Sequence, residues 1–389
     1  MQIKTQNQLV DVCGRARMEA CLGFDTEFIP ENTYYPKLAL IQFAVADQCY
    51  IVDPLSNLDL SPLDELMRDE GVVKVVHAGA QDMGIFYHRM GGPPKRVFDT
   101  QIAASFLGMG QQISYASLVQ QLFGVTLKKG QSYTNWLKRP LHDEQIRYAL
   151  EDVAWLVKAY YRMVEMLTQA GRSSWVAKEM VHYEDGDFYE ASAAHPEKRV
   201  KKSGHMRGRD LVVLEALARW RENEARTRDL PRKKILSDYI LVDLARRKPT
   251  SPGELLSLRS ADHMAKRYVA DLVRIIVDAS ESEPEEFSRE QGNVLSDEKK
   301  MVVEFISFCL KVFCQREKLS STVLSNRAEL DALVQDYFSN DFDASHHRLL
   351  TGWRKEAVGN DILKCLRGEL GVRYDCEMQK LRFTGGDTD

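Results

Sequence analysis

Two acids, Asp25 and Glu27, stand two residues apart in the stretch GFDTEF, residues 23–28. Side chains at i and i+2 of a strand face the same way, so these carboxylates point together, while Thr26 points away to pack or cap. Leu22, Phe24 and Phe28 beside them mark a strand built for burial rather than a solvated edge. A carboxylate facing a core is costly unless something compensates it. A third acid, Asp82, falls in HAGAQDMGIF at a strand-to-helix junction, where active-site groups gather in sheets of this kind. Taken alone, it reads equally well as an acid favourably placed at a helix N-terminus. His77 reads as a structural hydrogen-bonding residue, and Asp99 as a cap or turn former. The fourth acid, Asp152, follows Tyr148 by four residues in YALEDVAWL, so the two stack on one helical face beside the core stripe.

Four acids converging without basic partners repel one another. Hard divalent cations resolve that, and an all-oxygen donor set suits Mg²⁺ or Mn²⁺ rather than zinc. Four carboxylates can hold two such ions about 4 Å apart, the arrangement of in-line phosphoryl displacement. A tyrosine beside the attacking water would orient it or accept its proton. Asp25, Glu27, Asp82 and Asp152 are therefore the candidate metal ligands and Tyr148 their companion. Spacing alone gives metal-assisted phosphodiester chemistry and no more.

The elements that must position these groups follow from the pattern. CLGFDTEF, KLALIQFAVA and CYIVDP lie close together and read as an antiparallel meander. VVKVVHA is a fourth strand, reached through a helical segment around 61–69 that is long enough for a crossover, so the sheet is mixed. A helix over about 81–90 stops at GGPP, and a short strand at 96–99 makes five. Helical patterns then run to Ala170, giving an α/β domain over 1–181. Residues 182–209 read as a polar linker, 210–282 as a first helical domain and 296–375 as a second. Between the last two, residues 281–298 carry seven acids against one base, which marks an acidic connector at 283–295. Residues 376–389 read as a frayed tail. ILSD at 235–238 recurs as VLSN at 323–326, so the helical blocks read as repeats.

Composition excludes several classes. The 389 residues are 44% hydrophobic and 28% charged with a formal net charge of −4, an ordinary globular balance. Seven cysteines with no C-x-x-C spacing fit a reducing compartment, hence the cytoplasm, better than zinc or a disulfide framework. The N-terminal stretch has no signal-peptide core, and no run of about 18 apolar residues exists, so no membrane span is expected. GMG at 108–110 lacks a third glycine and no P-loop is present, so no nucleotide cofactor is expected.

DTE, HAGAQD and Y-x-x-x-D together resemble the three exonuclease motifs of the DEDD superfamily, in its tyrosine branch. The histidine branch would place His five residues before the last acid, where Arg147 stands. DTQIAASFLG and YASLVQQLFGVTLKKGQSYTNWLKRPL closely resemble the bacterial ribonuclease D family. EARTRDLPRKKILSD and LLTGWRKEAVG are similar to its helicase-and-RNase-D C-terminal (HRDC) domains. The resemblance covers nearly the whole chain. It implies an RNase H-like α/β exonuclease domain with a mixed five-stranded sheet, followed by two small all-α HRDC-type domains. It also implies a 3′-to-5′ exoribonuclease that releases nucleoside 5′-monophosphates and trims structured RNAs with single-stranded 3′ ends, chiefly tRNA precursors. Asp25, Glu27, Asp82 and Asp152 would hold two divalent metal ions, and Tyr148 would position the water. A DNA 3′-to-5′ exonuclease uses the same acids, and a non-catalytic RNA-binding adaptor could keep the fold.

Residues 198–248 carry 16 Lys or Arg against 7 Asp or Glu. Lys198, Arg199, Lys201, Lys202, Arg232, Lys233 and Lys234 are the candidate phosphate contacts, which would make binding salt-dependent. In the first domain, Gln42, Tyr133, Trp136, Lys138 and Arg139 are expected along the RNA path, with aromatic stacking on a single-stranded 3′ end. Trp136 reads equally as core, and Trp353 as core of the last domain.

Overall fold

The computed structural model describes residues 1–110, 112–127, 134–204, 206–260, 266–282, 295–339 and 342–385. Its N-terminal part is a mixed sheet clasped by helices. The strands are β1 (Gln2–Ile3), β2 (Cys21–Ile29), β3 (Lys37–Val45), β4 (Gln48–Val52), β5 (Val73–Val76) and β6 (Val97–Asp99), in the order β1-β4-β3-β2-β5-β6. The expected meander is present as antiparallel β2–β3 and β3–β4, and β5 joins β2 in parallel through the expected crossover. Among the described residues the sheet has six strands, not five. The extra one, β1, pairs in parallel with Ile51 and Val52, and two residues are too few to show a strand period.

β2 lies at the centre of the sheet, with Leu22 and Phe24 fully buried. Helices α1 (Gln6–Glu19), α2 (Ser61–Arg68), α3 (Ala80–Met90), α4 (Thr100–Ser105) and α5 (Tyr115–Phe123) surround it. Where the pattern reads one closing helix, the chain forms two, α6 (Asp143–Glu151) and α7 (Leu156–Gln169), with a break at 152–155. Gly23 explains how the break meets the sheet. A Cβ there would stand 2.7 Å from Leu156 Cβ and 3.3 Å from the Val153 carbonyl oxygen, so only glycine lets β2 touch this turn.

After α8 (Ser173–Met180), the stretch expected to be a linker is folded: α9 (Gly186–Ala194) occupies its centre. Tyr189 of α9 stacks on Tyr87 of α3 at 4.6 Å and donates to the Tyr183 carbonyl. The first helical block, α10 (Gly208–Thr227), α11 (Arg232–Ile235), α12 (Asp238–Arg247), α13 (Pro252–Ser257) and α14 (Val269–Glu281), closes around its own core, which includes Leu217, Leu241 and Leu272. The second has a similar start: long α15 (Asp297–Glu317), one-turn α16 (Ser321–Leu324), then α17 (Arg327–Tyr337).

Among the described residues this second block has no separate core. Its apolar residues continue the core of the sheet domain. Trp353, expected inside the last domain, lies at the seam, 5.0 Å from Phe106 and stacked on Trp175 at 5.1 Å. The expected frayed tail is instead a hairpin, β7 (Gly371–Asp375) with β8 (Lys380–Thr384), whose Phe383 stacks on Phe313 at 4.0 Å. Of the acidic connector, only Leu295 lies within the described residues. Among the described residues no helix is long and apolar enough to cross a membrane.

Candidate active site

The β2–β3 pairing slips between Glu27 and Phe28, a local irregularity of the kind that re-aims side chains beside active sites. There Asp25, Thr26, Glu27 and Phe28 line a cavity of about 270 Å³ together with His77, Asp82, Tyr115, Tyr148, Asp152 and Leu156. Every acid singled out by spacing, and the tyrosine, is thus in one place. Oxygens of Asp25, Glu27 and Asp152 all lie within 4.8 Å of one another. Asp82 lines the same cavity but is tied elsewhere: the Thr26 hydroxyl donates to its Oδ1. Thr26, expected only to pack or cap, therefore fixes the acid that α3 brings to β2. Asp152 caps the end of α6, its backbone N–H donating to the Tyr148 carbonyl at 3.1 Å, and both side chains line the cavity.

The electrostatics are those of crowded acids. Burial, then repulsion by Asp82, Asp152 and Glu27, hold the Asp25 carboxyl well above the usual carboxylate range. Burial and the same kind of repulsion push Glu27 up to about 8. Burial pushes Asp82 and Asp152 up to about 6, against the pull of the Thr26 and Tyr148 hydroxyls. Burial followed by the Asp152 and Glu27 charges also raises Tyr148, so the phenol is a donor here rather than a base. Among the described residues no lysine or arginine lines this cavity. The donors are hard oxygens in excess negative charge, which fits divalent Mg²⁺ or Mn²⁺ and leaves no role for soft-metal ligands.

A family model described as a 3′–5′ exonuclease matches residues 1–168, and one described as an HRDC domain matches residues 210–276. Ribonuclease D of Sphingobium indicum is 34% identical over 376 residues, covering 95% of both chains. That of Nitrobacter hamburgensis is 33% identical over 378 residues, covering 96% of this chain and 97% of its own. The chain belongs to the ribonuclease D family. Its structure is similar to that of Escherichia coli RNase D, described as an exoribonuclease involved in structured RNA processing, with a TM-score of 0.79, 27% identity and coverage of 95% and 98% of the two chains. The chain is accordingly a ribonuclease D-type 3′–5′ exoribonuclease, an α/β exonuclease unit followed by helical HRDC structure.

Several residues expected along the RNA path of this ribonuclease D are instead built into its frame. Gln42 is fully buried and its side-chain amide donates to Asp25 Oδ2 at 2.6 Å. Trp136 is core, 3% exposed and 6.1 Å from the Tyr148 ring. Arg139 is held by the Asp53 carboxylate and the Trp136 and Ala39 carbonyls. Arg232 is paired with Glu222. Lys138, Lys198, Arg199, Lys201, Lys202, Lys233 and Lys234 are exposed, and Tyr133 lies outside the described residues.

Two supports of the site are only partly legible in the sequence. Asp99 caps α4 as expected, through Gln101 and Ile102, and it also accepts from the Ala78 and Gly79 N–H groups and the Tyr183 hydroxyl. It thereby fixes the turn that launches α3 and Asp82. The partner Tyr183, 84 residues away, gave no signal in sequence. His77 shares one ring nitrogen with the Thr100 hydroxyl at 2.8 Å, and its other ring nitrogen lies 2.9 Å from the Ile113 carbonyl, the structural role its position suggested.

Proposed function

We propose that this exoribonuclease removes nucleotides one at a time from single-stranded 3′ ends of structured RNAs, tRNA precursors among them, using two divalent ions held by Asp25, Glu27, Asp82 and Asp152. The observation that carries the reading is the convergence of these four acids and Tyr148 on one cavity. In each cycle a water oxygen bonds to the terminal phosphorus and the bond from phosphorus to the preceding 3′-oxygen breaks. The water's proton ends on that 3′-oxygen, and a nucleoside 5′-monophosphate leaves. Bound Mg²⁺ or Mn²⁺ would supply a more acidic water and neutralise charge on the leaving oxygen. The chain's own groups do the rest. The Tyr148 phenol, protonated and beside Asp152 on the cavity wall, orients the water. Phe28 and Leu156 give the terminal nucleotide apolar walls. The exposed lysines at 198, 201, 202, 233 and 234 hold phosphates upstream.

The domain reading that goes with this is an exonuclease unit over 1–181, an HRDC-type domain over 210–282 and an HRDC-like block from 296. The cytoplasm is the compartment that suits an RNA substrate and seven unpaired cysteines. The test is a time course on a 5′-labelled RNA with a single-stranded 3′ tail, with Mg²⁺ or with EDTA, beside the same sequence as DNA. A metal-dependent ladder shortening from the 3′ end of RNA is expected. Equal cutting of DNA would favour the DNA exonuclease, and binding without cleavage the adaptor.

A further inference from the structure

The loop over residues 30–36 leaves β2 two residues after Phe28, which lines the cavity, and returns in β3, the strand of Gln42. Its tip, residues 30–32, is exposed. Its second half is gripped by the first helical block. The Tyr34 hydroxyl donates to Glu222 of α10. The guanidinium groups of Arg232 and Arg226 lie over the Tyr34 ring, at 5.2 and 5.9 Å from its centre. Asp229 accepts from the backbone N–H groups of Tyr34 and Tyr35, at 3.0 and 3.3 Å. Arg232 is also paired with Glu222, and Arg226 with Glu190 of α9. The same junction reaches the other acid-bearing element: Tyr35 packs on His88 of α3 at 4.5 Å, and His88 lies 4.0 Å from Glu190.

These contacts spend arginines and acids of the most basic stretch of the chain on the loop that follows Phe28 instead of on phosphate. Cation–aromatic contacts and charged hydrogen bonds at partly desolvated positions are among the stronger polar contacts available. The loop is thus fixed directly after Phe28, which lines the cavity. On the reading above the cavity takes the terminal nucleotide against Phe28, and a loop that starts two residues beyond Phe28 is placed to meet the nucleotides before it.

We propose that Tyr34 is a positioning residue through which the first helical domain holds the 30–36 loop as a fixed wall for the RNA nucleotides upstream of the terminal one. The domain therefore sets the path of the substrate into the site as well as gripping its phosphates. This rests on the exonuclease reading above.

The test compares the full-length protein with Tyr34→Ala and Tyr34→Phe in Mn²⁺, on two substrates. One is a short single-stranded RNA. The other is the 4-nitrophenyl ester of uridine 5′-monophosphate, which fills the terminal position and has nothing upstream. Tyr34→Ala is expected to raise KM for the RNA about tenfold, with kcat and the ester reaction each changed by less than about twofold. Tyr34→Phe, which keeps the ring and loses only the bond to Glu222, is expected to fall between, at about threefold in KM. An RNA KM unchanged in Tyr34→Ala overturns the proposal. So does an equal loss on both substrates, which would put the effect in the acid cluster or the fold. Failure of the underlying reading looks different: the unaltered protein would then hydrolyse neither substrate.

Discussion

Gln42 stands directly opposite Asp25 across the β2–β3 ladder, and its amide donates to Asp25 Oδ2 at 2.6 Å. The amide is fully buried, and its Oε1 has no hydrogen-bond partner among the described residues. A buried acceptor left open is unfavourable, so the glutamine is kept for what its N–H₂ group does. That group favours the ionised form of Asp25 and fixes which oxygen faces the cavity. Groups that orient a metal ligand typically matter by about 10- to 100-fold in affinity or activity. Gln42→Leu is therefore expected to weaken Mn²⁺ binding in a calorimetric titration by about tenfold or more. An affinity within experimental error of the unaltered protein would show that Asp25 needs no such support.

Asp152 and Tyr148 stand one helical turn apart on the same cavity, with separable roles. Asp152→Asn keeps the shape and removes a charge from the acid cluster, so RNA cleavage is expected to fall by at least about a thousandfold. Binding of a labelled RNA, which the proposed reading gives to distant lysines, should stay nearly unchanged. Tyr148→Phe removes only the hydroxyl proposed to orient the water, and about a 10- to 100-fold loss in kcat with little change in KM is expected. Full cleavage by the Asn variant would remove Asp152 from the site.

The crowded acids tie metal binding to pH. Burial and mutual repulsion raise Glu27 to about 8 and burial raises Asp82 and Asp152 to about 6. Folded-state values above the unfolded ones mean stabilisation that is complete at acid pH and lost as pH rises through 6 to 8. Divalent ions bind the ionised acids and restore that loss. The rise in melting temperature on adding Mg²⁺ should thus be small near about pH 5.5 and clearly larger near about pH 8. An equal rise at both would place the ion elsewhere.

Glu179 of α8 clasps the second helical block to the exonuclease unit. It accepts from Trp353 Nε1 at 3.0 Å and from Arg354 and Arg348 at 2.7 and 3.3 Å. The nearby guanidinium groups hold its carboxyl below the usual range against its burial. Glu179→Gln would strand the charge of Arg354, which is 6% exposed, and is expected to lower stability by about 2–3 kcal/mol. Urea denaturation followed by tryptophan fluorescence would read it, since Trp175 and Trp353 stack at this seam. For the same reason a chain ending at residue 282 should aggregate, because it bares the apolar surface around Phe106 and Trp175. A soluble, fully active fragment would show the block to be an independent domain after all.

The amino-acid sequence by itself determined the chemistry of the site and the elements that carry it. Asp25 with Glu27 and Tyr148 with Asp152 are local relationships, set by the two-residue repeat of a strand and the turn of a helix, and both are present in the fold. The meander and the crossover were legible for the same reason: each rests on runs of apolar residues bounded by turns. Only the tertiary structure decided the contacts between residues distant in the chain. Gln42, Arg139 and Arg232 look like surface polar residues until their partners Asp25, Asp53 and Glu222 are in place. Asp99 needs Tyr183, and Gly23 needs the break before Leu156. The shared core around Trp353 is of this kind too, because an apolar helix face shows that it must be covered and not by what. Periodicity records which side of an element is buried. The identity of the neighbour comes from packing, which no stretch of sequence contains alone.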